Sequence, residues 1–159
     1  MAEVTIVGGG LSGMTAAINL AKRGHDVVVL EREERAGGSA LYHPSGQGTP
    51  LRLDALQEYI GFALTPGIEP IKNMSEIVGG KELKVDPSLI NGIFFERGPR
   101  STSLDSYLYE LASEAGVEVR FGTPVNSRED MAQLPPNTIV ATGLHFEGFD
   151  SLGVPYLTS

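Results

Sequence analysis

Between the β-branched run of Val4, Ile6 and Val7 and a stretch where Leu11, Met14, Ile18 and Ala21 recur at helical spacing stand the residues Gly8-Gly9-Gly10-Leu11-Ser12-Gly13. Gly8, Gly10 and Gly13 satisfy the spacing GxGxxG at a strand-to-helix joint, which suits the capture of a diphosphate by main-chain groups. Gly8 permits a tight turn, Gly10 lets the backbone approach phosphate with no β-carbon in the way, and Gly13 lets the helix lie close on the strand. The free amides of the first turn, starting at Leu11 and Ser12, then face the anion together with the positive end of the helix dipole. A carboxylate, Glu31, closes the next strand, where it can accept hydrogen bonds from ribose hydroxyls and repel a 2′-phosphate. The pattern therefore expects an adenine dinucleotide of the FAD or NAD kind rather than NADP.

These residues need a scaffold. Residues 3–7, 11–23 and 26–30 read as strand, helix and strand, with Gly24 ending the helix and His25 in the turn, which makes a parallel βαβ unit. Residues 31–50 are rich in Gly, Ser, Pro and charge and read as a long loop. Thr49 as N-cap and Pro50 in the first turn predict a helix whose apolar face is Leu53, Leu56, Tyr59, Ile60 and Ala63, with Asp54 and Glu58 on the wet side. From 65 to 98 the helical period gives way to the short runs 75–78, 82–85 and 92–96, with a turn at Gly79-Gly80, and predicts an antiparallel insertion. Thr102, with Asp105 three residues on, opens a helix buried along Leu104, Leu108, Leu111 and Ala115 that stops at Gly116. Residues 117–121 and 138–141 return to the parallel sheet, and the remainder reads as loop. One domain is expected over 1–159.

Composition narrows the function. Twelve Lys and Arg against 20 Asp and Glu give a formal charge of −8, which argues against nucleic acid and anionic lipid as partners. The chain has no cysteine, so disulfides and thiolate chemistry are excluded. Its three histidines and scattered acids lack ligand spacing, so no metal site is expected. No GxSxG elbow is present, and no catalytic residue is assigned. His43 falls in the 31–50 loop, where a solvated role outweighs a functional one. No apolar run has the length of a membrane span, and the first residues enter a strand without a signal-like segment, so the expected location is cytoplasmic.

Two further segments carry a resemblance. Glu31-Arg32-Glu33-Glu34-Arg35-Ala36-Gly37-Gly38, of the form ExxxRxGG, resembles the extension after the second strand in FAD proteins of the glutathione-reductase-like superfamily, although Ser39 stands where many of those have a basic residue. Ile139-Val140-Ala141-Thr142-Gly143 is similar to the ATG segment of the same superfamily. Gly37-Gly38-Ser39 leading to His43-Pro44-Ser45-Gly46, the Tyr59-Ile60-Gly61 helix end, and Arg100 ahead of Leu104-Asp105-Ser106-Tyr107-Leu108 resemble more narrowly the geranylgeranyl-reductase-like branch. The resemblance implies a Rossmann-type α/β fold with an FAD-binding glycine motif and FAD as cofactor. The implied site residues are Gly8, Gly10, Leu11, Ser12, Gly13, Glu31, Arg32, Arg35, Gly38, Ser39, Arg100, Ala141, Thr142 and Gly143. Arg100 stays open between contacting flavin and merely preceding a helix.

The implied activity is reduction of isoprenoid-type double bonds by reduced flavin. Complete members of that superfamily continue well past the ATG strand, so the resemblance covers their first part only. The rest of the flavin pocket would then come from elsewhere, such as a partner chain or second copy. Two readings remain: the FAD-binding portion of an oxidoreductase, and a non-catalytic dinucleotide-binding module that acts with a partner.

Overall fold

The computed structural model describes residues 1–38, 45–65, 67–143 and 146–155. Strands β1 (Glu3–Val7) and β2 (Asp26–Leu30) flank helix α1 (Leu11–Lys22) and pair in parallel, Val4 opposite Val27 and Val7 opposite Leu30. Later strands β8 (Glu118–Arg120) and β9 (Thr138–Val140) add to the two sides, giving a parallel sheet of order β8-β2-β1-β9. This is the Rossmann-like α/β arrangement.

Side-chain alternation divides the sheet's two faces. Val4, Ile6, Val27 and Val29 point into the main core with Met14, Ala17 and Ile18 of α1 and Leu108 and Ala112 of α3 (Leu104–Glu114). Val7 and Leu30 belong to a smaller cluster with Val125, against which Met131 and Leu134 pack. These two residues follow from a short helix, α4 (Arg128–Ala132), and its exit, in a stretch whose sequence carries no clear helical period. Its N-terminus is closed by a capping box: the Asp130 amide donates to Ser127 Oγ at 3.0 Å, and Asp130 Oδ2 accepts from the Ser127 amide at 3.1 Å. Hydrogen bonding with the Ser127 side chain, then with the Asn126 amide, holds the Asp130 carboxyl below its ordinary pKa. A depressed carboxyl stabilises the helix above the unfolded-state pKa and loses that contribution as pH falls through the folded one. We therefore expect an NMR titration of the Asp130 carboxyl to fall below about pH 3.9, and protection of the Met131 amide to decline over the same interval.

The antiparallel part is organised differently from the sequence expectation. Residues 31–50 are not all loop: Ser45–Thr49 is strand β3, the edge of a sheet of order β3-β7-β4 completed by β4 (Ile68–Pro70) and β7 (Ile93–Arg97). Thr49 is used in that ladder, opposite Ile93, so it cannot cap a helix. Helix α2 starts later, at Leu53–Ile60, with Arg52 as N-cap and the left-handed Gly61 as C-cap. Leu53, Leu56 and Ile60 of α2 pack on the core as expected, whereas Tyr59 is 89% exposed and Ala63 is exposed beyond the helix end. β5 (Ser75–Val78) and β6 (Lys81–Lys84) form the expected hairpin around Gly79-Gly80, separate from the larger antiparallel sheet.

Helix α3 begins one residue later than expected. Ser103, not Thr102, is its N-cap, accepting from the Ser106 amide at 3.1 Å. Asp105 does not reach back to cap: it is buried and bonded to Arg97 and the Gly98 amide. The end of the chain, expected as loop, includes helix α5 (Phe146–Leu152). Among the described residues no helix is long and apolar enough to cross a membrane.

Candidate functional site

Parallel strands that all end at one edge leave a crevice there, and this molecule has a cleft of about 810 Å³ in that place. Its floor is Gly8 to Ser12, where β1 passes into α1. Gly10 is the helix N-cap, and no side chain caps the helix; its first bond is from the Met14 amide to Gly10 O at 2.9 Å. The amides ahead of Met14 have no helical partners, and the first turn holds no acidic side chain to satisfy them. A β-carbon on Gly10 would meet nothing within 4 Å, so the ground above this turn is open to a ligand.

The other two motif glycines serve the chain itself. Gly8 has φ +104°, and a β-carbon there would fall 2.5 Å from the Ala141 carbonyl oxygen. On Gly13 it would fall 1.9 Å from the Gly8 carbonyl oxygen. Gly13 is buried and does not line the cleft; it lets α1 sit against the end of β1.

Glu31 stands across from the helix terminus. Its Oε2 accepts from the Gly9 amide at 2.6 Å and its Oε1 from the Glu33 amide at 2.9 Å. A carboxylate offers about four acceptor positions, so two main-chain donors fix its orientation and leave capacity for a diol. Thr123, Val125 and Asn126, which follow β8, continue this side of the cleft beyond Glu31. Ala141, Thr142 and Gly143, after β9, form the opposite side with Gly148 of α5, which lies so close to Thr142 that a β-carbon would come within 2.2 Å of its Oγ1.

The last wall is made by Gly37, Gly38, Arg97 and Asp105. Gly37 has φ +77°, and a β-carbon would lie 2.2 Å from Gly98 C and O, so this glycine packs the 31–38 segment onto the end of β7.

Of the residues expected from sequence, the cleft brings together Gly8, Gly10, Leu11, Ser12, Glu31, Arg32, Gly38, Ala141, Thr142 and Gly143. Arg35 is exposed and lies outside its lining. Arg100 is exposed beside Glu96, with Nε 3.3 Å from Oε1, and is also outside. Ser39 and His43 lie outside the described residues. Sequence reasoning missed Gly9, Glu33, Arg97, Asp105, Thr123, Val125, Asn126 and Gly148. Among the described residues no cluster of His, Asp and Glu could hold a metal.

Comparison with known proteins agrees with the fold. The family model described as an NAD(P)-binding Rossmann-like domain matches residues 6–57, from the glycine segment through Glu31 into α2. Flavin-containing monooxygenase FMO GS-OX-like 7 of Arabidopsis thaliana is 30% identical over 136 residues, 84% of this chain and 29% of that protein. The chain thus spans less than a third of that relative. Among solved structures, CtdE in complex with FAD superposes with a TM-score of 0.61 at 17% identity, over 94% of this chain and 40% of that one. A geranylgeranyl bacteriochlorophyll reductase-like protein from Thermoplasma acidophilum gives 0.57 at 21% identity, over 79% and 32%. At these identities the structural likeness speaks for the fold. Fold and matches together define a Rossmann-like α/β domain with relatives among flavin-dependent oxidoreductases.

Proposed function

We propose that this chain binds FAD and forms the cofactor-holding portion of a flavin-dependent oxidoreductase. The observation that carries this reading is the pairing, across one cleft, of an uncapped helix terminus over open ground at Gly10 with an oriented carboxylate at Glu31. The residues fit the ADP half: main-chain amides of Leu11 and Ser12 for the diphosphate, Glu31 for the ribose, and Val125 and Asn126 beside the adenine. When bound, a flavin supplies hydride or oxygen chemistry that the chain's own side chains lack. The chain's part is to bind and orient.

Two chemistries fit this portion. The curated relative is a monooxygenase, whereas the sequence resemblance points to reduction of isoprenoid-type double bonds. Both need FAD. The class-level alternative is a module that holds an adenine dinucleotide without turnover.

Titrating the purified protein with FAD, NAD and NADP tests the reading. We expect visible flavin absorbance that co-purifies or saturates on adding FAD, and NADP binding at least about tenfold weaker than NAD, since Glu31 repels a 2′-phosphate. Colourless protein that binds ADP but not FAD would support the module instead.

A further inference from the structure

Arg97 has no place in the sequence motifs, and Asp105 stands in them only as part of a helix start, yet both line the cleft. Arg97, at the end of β7, donates from Nε to Asp105 Oδ2 at 2.8 Å and from Nη2 to Oδ1 at 2.9 Å. Asp105 Oδ2 also accepts from the Gly98 amide at 2.9 Å, and its side chain is 4% exposed against 23% for Arg97. The carboxylate is thus consumed inside the protein, and the guanidinium is held in one plane. A guanidinium has five N–H donors, so this fork leaves about three unused. Among the described residues no acceptor besides Asp105 meets them.

The cleft needs such a group. A diphosphate is strongly anionic, whereas a helix terminus offers about half a positive charge. Glu31 and Glu33 add negative charge nearby, and the other cation on the lining, Arg32, is exposed with its Nε 3.5 Å from Glu33 Oε1. Gly37, packed on Gly98, joins the Arg97 segment to the loop that carries Glu31.

Building on the dinucleotide reading, we infer that Arg97 is the cation that binds the ligand's diphosphate, with Asp105 as its positioning residue. A buried ion pair contributes little net stability compared with a well-packed neutral pair, so retention of this one is better explained by ligand recognition than by folding.

The test uses the neutral double variant R97Q/D105N, which leaves no unpaired buried charge, titrated with ADP and with adenosine. ADP affinity should fall at least about tenfold while adenosine affinity holds, and the salt dependence of ADP binding should flatten. A folded double variant that binds ADP within about twofold of wild type overturns the assignment, as does an equal loss for adenosine. In wild-type protein, the Arg97 side-chain NMR resonance should move on adding ADP and stay still with adenosine. A resonance indifferent to saturating ADP overturns it whether or not the variant folds. Wild type that binds no ADP at all removes the dinucleotide reading itself, so the two failures are distinguishable.

Discussion

Gly13→Ala should destabilise the protein by about 3 kcal/mol, whereas Gly10→Ala, three residues earlier in the same motif, should cost under about 1 kcal/mol. The difference follows from what each added methyl meets. At Gly13 it would lie 1.9 Å from the Gly8 carbonyl oxygen, a main-chain atom at the end of β1 that cannot retreat without moving the strand. To relieve the clash, α1 must lift from the sheet and loosen the contacts of Met14, Ala17 and Ile18, all essentially buried. At Gly10 the backbone has φ −74°, which any residue adopts, and there is nothing within 4 Å. The methyl enters open ground that the proposed ligand would occupy.

Urea unfolding and FAD titration of the two variants should therefore separate cleanly. Gly10→Ala keeps a near wild-type midpoint but loses at least about tenfold in FAD affinity. Gly13→Ala shifts the midpoint strongly, and its binding falls with its folded population. Equal stability loss in both would mean that α1 does not dock as described. Undiminished FAD affinity in folded Gly10→Ala would mean that the ligand lies elsewhere.

The same contrast shows which parts of the molecule were legible in its sequence. The βαβ unit could be read because its signals are local: β-branched alternation, one helical period and a glycine joint all agree. Glu31 follows from that unit by position. Arg97 and Asp105 could not be read, because their pairing depends on how β7 and α3 meet. In sequence, Asp105 looks like a helix-capping acid, since it stands three residues after Thr102. Thr123, Val125 and Asn126 reach the cleft only because β8 lies beside β2 in the sheet order, which strand pairing decides and local pattern does not. β3 was hidden for another reason: Ser45-Gly46-Gln47-Gly48-Thr49 has the composition of a loop. It is held as a strand by its ladder with β7, where Phe94 lies over Gly46 so closely that a β-carbon would come within 2.3 Å of the ring. Tertiary pairing there overrides a weak local preference.

Glu31→Ala should have two separable effects, and their ratio tests the site more severely than either alone. Removing the carboxylate strands the Gly9 and Glu33 amides, now bonded at 2.6 and 2.9 Å, in a partly buried setting. That should cost about 2 kcal/mol and lower the melting temperature by about 4–8 °C. Glu31→Gln retains a single carbonyl acceptor and turns an NH2 group toward the other amide, so it should recover only part of that stability. Ligand binding should discriminate further. Glu31 touches no phosphate in the proposed arrangement, so FAD, ADP and adenosine, which share the ribose diol, should all weaken by a similar factor in both variants. Inorganic pyrophosphate has no sugar and should bind no worse, and even slightly better for the loss of a nearby negative charge. Calorimetric titration of the four ligands against each folded variant reads this pattern directly. Weakening confined to pyrophosphate and ADP, with adenosine spared, would mean that the Glu31 carboxylate serves only to shape the glycine turn and that the sugar is gripped by another residue.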